Sequence, residues 1–256
     1  MTVTDVNVVK SAIFERPDDA NKGTLGSLLC VCGSYGMAGA AVMSAKGALR
    51  TGIGLAKCAL PRSIYPIVAQ TILESVYYSL NENADGRISK VNVPFLVSES
   101  CKSSATLVGC GLGVCDDTLK IVFSLIENST TPLVLDADAL NCVAKQPEIL
   151  LRKKAPIIIT PHPGEMSRLT GLATPLVNAE RERVALDFAQ KYGVVTVLKG
   201  AGTVIASPNG KVLVNPTGNS GMATGGSGDV LAGMTASILA QGASAFSSAA
   251  AAGYLH

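Results

Sequence analysis

Tryptophan is absent from the 256 residues, and aromatic side chains make up only 4%. The core must therefore be built from Ala, Val, Ile and Leu, with glycine allowing close approach. Charge is scarce too: Asp, Glu, Lys and Arg together reach 16%, against about 25% in an ordinary soluble domain. With 48% hydrophobic residues, the composition excludes disorder, collagen and coiled coil. A net charge of +2 is too small to argue for nucleic acid or an anionic membrane as partner. So few charges also suggest apolar surface covered by other subunits, and a homo-oligomer such as a tetramer is expected.

The chain has only two histidines, His162 and His256, which rules out a His-rich metal centre. Its seven cysteines are an odd number, and Cys30, Cys58, Cys110 and Cys142 sit singly inside apolar runs. That is a poor disulfide framework and suits a reducing compartment, here the cytoplasm. Cys30-Val31-Cys32 has a metal-like spacing, but no second pair completes a site. Met1 to Arg16 carries Asp5, Lys10, Glu15 and Arg16 and no apolar signal-peptide core. Val230 to His256 has no charged residue, a length that raises the question of a membrane span. Gln241-Gly242 divides it, and Ala243 to Ala252 is mostly Ala and Ser, so two buried helices are expected instead. The helical pattern runs to His256 without a cap or Gly-Pro stop, so a further C-terminal tail is expected.

Strand and helix patterns alternate. Apolar runs at Leu28–Cys32, Ile53–Ala59, Ala105–Gly109, Pro132–Asp136, Pro156–Thr160 and Val194–Lys199 read as strands. Gly39–Thr51, Thr118–Asn128 and Ala179–Tyr192 have helical spacing, and another helix starts near Asp229. Gly202–Ser207 and Lys211–Val214 read as a hairpin over Pro208-Asn209-Gly210. Asn81 to Lys90 is a polar surface loop. Continuous β-branched runs between helices indicate parallel strands buried on both faces, hence a three-layer α/β domain. No domain boundary is visible, so residues 1–256 are expected to form a single domain.

Ligands of open α/β sheets gather outside the C-terminal strand ends. Here those ends read Gly33-Ser34-Tyr35-Gly36, Gly109-Cys110-Gly111-Leu112-Gly113, Asp136-Ala137-Asp138, His162-Pro163-Gly164-Glu165 and Lys199-Gly200-Ala201-Gly202. The most informative segment is Asn215 to Asp229, where Gly218, Gly221, Gly225, Gly226 and Gly228 precede a helix. Backbone N–H groups turned toward one point, reinforced by a helix N-terminus, make an anion hole for a phosphoryl group. Asp229 in the first turn is then placed to take a proton from an attacking hydroxyl. The plain alternative is a loop with a helix-capping acid. The spacing of the Gly33–Ala40 and Gly111–Gly113 turns does not match the dinucleotide GxGxxG. Glu165 has the position of a helix cap. Asp136 and Asp138 are turn formers or site acids, and Lys199 is a solvated lysine or a phosphate contact.

The segment NPTGNSGMATGGSGDVLAG, Asn215 to Gly233, resembles the signature of the ADP/ATP-dependent NAD(P)H-hydrate dehydratases of the ribokinase-like superfamily. The likeness continues, in order, through Gly33–Ala40 with Ala48–Gly52, Gly109–Gly113, Val134–Leu140, Thr160–Glu165 and Leu198–Thr203. It departs at Ser220, where proline is common. The resemblance implies a three-layer αβα ribokinase-like domain with a mostly parallel central sheet. It implies dehydration of the S form of hydrated NADH or NADPH, with ADP or ATP as co-substrate and Mg2+ as cofactor, releasing AMP or ADP and phosphate. Asp229 would be the catalytic base. Ala40, Gly111, Gly113 and His162 would hold the hydrated dinucleotide, together with Asp229. Lys199, Gly200, Ala201, Gly202 and Thr203, with Gly225, Gly226 and Gly228, would bind the adenine nucleotide. Glu165 would organise magnesium, through water. Two alternatives stay open: a kinase of a small vitamin-type alcohol, which needs the same base and anion hole, and a nucleotide-binding regulatory module without turnover.

Overall fold

The computed structural model describes residues 3–13 and 15–256. The expected runs pair into one nine-stranded sheet of order β3-β2-β1-β4-β5-β6-β7-β8-β9. Its strands are β1 (Ser27–Val31), β2 (Leu55–Pro61), β3 (Val76–Leu80), β4 (Ala105–Val108), β5 (Leu133–Leu135), β6 (Ile157–Ile159), β7 (Val195–Leu198), β8 (Val204–Ala206) and β9 (Val212–Val214). The first seven are mutually parallel, while β8 and β9 form an antiparallel hairpin on the β7 edge. Every residue of β4, β5, β6 and β7 is buried, as expected for strands covered on both faces.

Helices α1 (Val6–Ala12), α2 (Ala38–Arg50), α3 (Tyr65–Thr71), α10 (Ser227–Ala240) and α11 (Ala245–Leu255) contribute to the core on one face. The opposite face is covered by α4 (Val93–Cys101), α5 (Asp116–Asn128), α6 (Asp138–Val143), α7 (Pro163–Thr170), α8 (Thr174–Ala179) and α9 (Arg181–Tyr192). The uncharged C-terminal stretch forms two helices, α10 and α11, separated by Gly242. Among the described residues, no helix is long and apolar enough to cross a membrane.

Glycine sets how closely α2 and α10 approach. A Cβ on Gly47 would lie 2.7 Å from the Val230 carbonyl oxygen, and one on Gly233 would collide with the Ser44 carbonyl. This backbone contact fixes where α10 begins, and with it the position of Asp229.

Six elements escape the sequence patterns: α1, α3, α4, α6, α8 and β3. α1 and α3 are single short helices, and β3 is a half-exposed edge strand. α4 begins at a Pro-containing first turn. The expected Ala179–Tyr192 helix starts two residues later, as α9 at Arg181: Ala179 is the last residue of the separate helix α8, and Glu180, with φ −124° and ψ 41°, stands between the two. β2 starts two residues late, at Leu55, and Gly54 before it lies close against the Lys22 backbone.

Candidate active site

Parallel pairing brings the C-terminal ends of five strands to one edge, and backbone hydrogen bonds continue past the strands there. The N–H of Gly33 donates to the Cys110 carbonyl (2.8 Å), that of Asp136 to Val108 (3.1 Å) and that of Lys199 to Pro161 (2.8 Å). The sequence motifs after β1, β4, β5, β6 and β7 therefore meet in space.

At their centre is Asp136, 1% exposed. Its Oδ1 accepts from Lys199 Nζ (2.7 Å) and from Thr160 Oγ1 (2.7 Å), and its Oδ2 accepts from the Cys110 thiol (3.6 Å). The next residue, Ala137, has φ +48° and is the one non-glycine with positive φ among the described residues. Such strain persists where surrounding structure over-determines it. Here the ties on Asp136 meet those on Asp138, whose Oδ2 accepts from the Gly113 N–H (2.8 Å).

Lys199 resolves one open alternative: its side chain is only 18% exposed and forms ion pairs with Asp136 and, at 3.9 Å, with Glu165. Burial alone would lower its pKa, but Asp136 and Glu165 outweigh that and raise it. The lysine therefore stays charged. A Cβ on Gly228 would lie 3.3 Å from its Nζ, so the ammonium also borders the glycine loop.

His162 and Glu165 form a reciprocal cap at the start of α7. His162 Nδ1 accepts from the N–H of Gly164 (3.0 Å), and Glu165 Oε2 accepts from the His162 N–H (2.8 Å). The capping role read for Glu165 is observed. Yet Glu165 is 5% exposed. Burial, reinforced by Asp136 and only partly opposed by Lys199, pushes its pKa up to about 7.

The glycine loop enters α10 through Gly226, whose φ of +91° is left-handed and suits a residue without Cβ. Asp229 is in the first helical turn. Burial, then the nearby Asp136 charge, pushes its carboxyl up to about 6. The Asp229 carboxylate, the Asp136 carboxylate and the Cys110 sulfur lie within 4.8 Å of one another. Sequence patterns put Cys110 in an apolar run and in the Gly109–Gly113 strand-end turn but gave it no role beside the acids, because the contact depends on how β4 and β5 end side by side.

Of the residues assigned to the dinucleotide, Ala40 and Gly111 are buried against each other: a Cβ on Gly111 would lie 2.7 Å from that of Ala40. The Lys199–Thr203 turn follows β7 at the same edge, three strands along the sheet from β4. Gly202 has φ +67°, and Thr203 Oγ1 donates to the Gly200 carbonyl (3.0 Å). Arg181, which the sequence patterns missed, braces the turn by donating to the carbonyls of Leu198 (2.8 Å) and Gly202 (3.4 Å). A cavity of about 410 Å³ opens beside it, lined by Ala179, Arg181, Ala201, Gly202, Val204 and Val214 among others. A further cavity between α7 and α9 touches none of Asp136, Asp138, Glu165 and Asp229.

A mostly parallel sheet between two helix layers, with a glycine loop opening a helix and a carboxylate in that helix's first turn, is a three-layer α/β fold shared with a ribokinase-like superfamily protein of Enterococcus faecalis, at TM-score 0.85 and 24% identity over 100% of this chain and 85% of that one. The family profile described as NAD(P)H-hydrate dehydratase matches residues 28–256, and the chain belongs to that family. It is 36% identical over 244 residues to an ADP-dependent (S)-NAD(P)H-hydrate dehydratase of Neisseria meningitidis, covering 94% of this chain and 78% of that protein. It is 39% identical to a bifunctional NAD(P)H-hydrate repair enzyme of Moorella thermoacetica, covering 96% of this chain. The chain spans 47% of that enzyme, about half its length. The crystal structure of an ADP/ATP-dependent NAD(P)H-hydrate dehydratase from Bacillus subtilis, co-crystallized with ATP/Mg2+, superposes with TM-score 0.84 at 31% identity. That match covers 100% of this chain and 87% of the Bacillus chain.

Proposed function

We propose that this chain restores NADH or NADPH from the S form of its hydrate, using ADP or ATP as phosphoryl donor. The observation that carries the reading is Asp229, a half-buried carboxylate behind the glycine loop and beside the Lys199–Asp136 pair. The names of the Neisseria and Bacillus relatives support the same substrate and donor.

Hydrated NAD(P)H carries a hydroxyl on its reduced pyridine ring, and hydroxide is a poor leaving group near neutral pH. Asp229 takes the hydroxyl proton as the oxygen attacks the terminal phosphoryl, and the bond to AMP (or ADP) breaks. N–H groups at the start of α10 meet the transferred charge. The oxygen then leaves as phosphate, driven by the ring nitrogen lone pair. Loss of a proton from the neighbouring ring carbon completes the dihydropyridine. Lys199, held at Asp136, keeps a positive charge beside Gly228 throughout.

Ala40, Gly111, Gly113 and His162 hold the dinucleotide. Lys199 to Thr203, with Gly225, Gly226 and Gly228, hold the adenine nucleotide, largely through backbone groups where the residues lack side chains. Magnesium fits this donor set, since it keeps several waters and takes only one or two carboxylates beside substrate phosphates. Glu165 would hold it through water, and bound there it would neutralise phosphate charge. Residues 1–256 act as one domain in a cytoplasmic homo-oligomer; the seven free thiols support the compartment.

The test is optical. Protein, ADP, magnesium and hydrated NADH are mixed, and the reduced-nicotinamide absorbance band is followed. Its appearance, with release of inorganic phosphate, supports the reading. A phosphorylated product that persists, with no such band, overturns it in favour of a small-alcohol kinase.

A further inference from the structure

The polar segment 81–90 takes no part in the chemistry above, yet it is firmly fastened. Glu82 and Ile88 form an antiparallel bridge, and Ile88 is fully buried. Asn83 Oδ1 accepts from the N–H groups of Asp85 and Arg87, both at 3.1 Å. Its Nδ2 donates to Asp117 (3.0 Å) in the first turn of α5. The Gly86 carbonyl accepts from the Tyr35 N–H (2.9 Å). These ties lay Arg87 on the Gly113 turn. A Cβ on Gly113 would collide with Arg87 Nε and lie 2.9 Å from its Cδ. Gly113 is itself locked to Asp138.

Charge balance gives this placement a meaning. The crevice holds Asp136, Asp138, Glu165 and Asp229, and the Lys199 charge is committed to Asp136. A dinucleotide brings two phosphate charges, and its 2′-phosphorylated form brings more. Arg87 forms an ion pair only with Asp85 among the described residues, at 3.2 Å, and the Asp85 side chain is 67% exposed. Such a solvated pair contributes little and exchanges readily. A guanidinium, by contrast, matches a phosphate with a two-pronged, charge-assisted contact.

We propose that Arg87, held on the Gly113 turn by the 81–90 segment, is the phosphate-binding residue of the dinucleotide subsite, exchanging Asp85 for a substrate phosphate. The assignment rests on the functional reading above. The phosphate is either the bridging pyrophosphate or the 2′-phosphate of the NADPH form.

Calorimetric titration of NADH and NADPH, the reaction products, reads the contact without turnover. Arg87→Gln should weaken binding about tenfold to a hundredfold, the range of a lost charge-assisted hydrogen bond. Arg87→Lys should recover part of it, and Asp85→Asn should bind more tightly than wild type. Equal losses for both nucleotides assign the pyrophosphate; a loss confined to NADPH assigns the 2′-phosphate. A folded Arg87→Gln protein that binds both within twofold of wild type overturns the proposal, as does a wild type that binds neither. A wild type that binds both but fails to regenerate reduced nicotinamide counts against the reaction and leaves the Arg87 comparison intact.

Discussion

Replacing Glu165 by Gln should stabilise the protein at pH 8 and leave it nearly unchanged at pH 4. Glu165 is 5% exposed and its pKa stands at about 7 instead of its ordinary 4.5. Burial raises it most, Lys199 opposes, and Asp136 raises it further. The folded state therefore binds this proton more tightly than the unfolded chain. The resulting stability is complete below pH 4.5 and is lost as pH rises through 7. The gap corresponds to about 3 kcal/mol at 1.36 kcal/mol per pH interval of one. Gln keeps a carbonyl oxygen to accept from the His162 N–H, so the cap survives. Urea denaturation of both proteins at pH 4 and pH 8 measures the difference. The wild type should fall behind the variant by about 3 kcal/mol at pH 8, which for a chain of this size is roughly 6–12 °C in Tm. An equal offset at both pH values, or a wild type that gains on the variant as pH rises, refutes the argument that Glu165 is held neutral by burial.

Asp229→Asn should lower turnover by about 10²–10⁴-fold with nucleotide affinity intact by calorimetry, whereas near-normal turnover would leave Asp229 only a helix-start acid. Because its carboxyl is pushed up to about 6 and a base must be ionised to act, kcat/KM should fall as pH drops through 6; a flat profile from pH 5 to 8 argues against that base. Lys199→Met leaves Asp136 buried without its cation and should destabilise by about 3–5 kcal/mol in urea, and a loss below 1 kcal/mol would show the pair to be dispensable. Gly233→Val drives a side chain into the Ser44 backbone and should cost about 3 kcal/mol while reducing activity by shifting α10; unchanged stability would mean the helices separate freely.

Much of the fold was legible because buried parallel strands carry a signal in every residue. Ile157–Ile159 and Val195–Leu198 are wholly buried, and both were readable as apolar runs. β3 and α3 were not: Val76, Tyr77, Tyr78 and Ser79 mix exposed and half-buried positions on an edge, so no clean period survives. The site divided the same way. Glycine turns and acids at strand ends are local, and they were visible from residue order. The partners of Asp136 are not local. Lys199 is 63 residues away and Cys110 is 26, and only the register of adjoining strands brings them to it. The segment 81–90 is the surface loop its polar composition indicated, but composition says nothing of anchoring; one asparagine, Asn83, makes several of its ties.

The missing aromatics and charges have one structural cause on the face that carries α2 and α10. Asp229 must stand beside Asp136, which belongs to the sheet, although it is carried by an outer helix. That requires α10 to lie close to the sheet and to α2. Gly47 and Gly233 permit backbone contact between the helices, and Ala232, Ala236 and Ala240 are buried around them. Larger core side chains would lift α10 and withdraw the carboxylate from its neighbours. The uncharged stretch from Val230 onward follows from the same geometry: Leu231, Ala232, Gly233, Thr235 to Ala240 and Ser248 to Gly253 are buried in α10 and α11. A charge there would be buried without a partner, at a cost of several kcal/mol. The buried acids Asp136 and Glu165 stand instead past the strand ends, each with a named neighbour, where the proposed chemistry needs them.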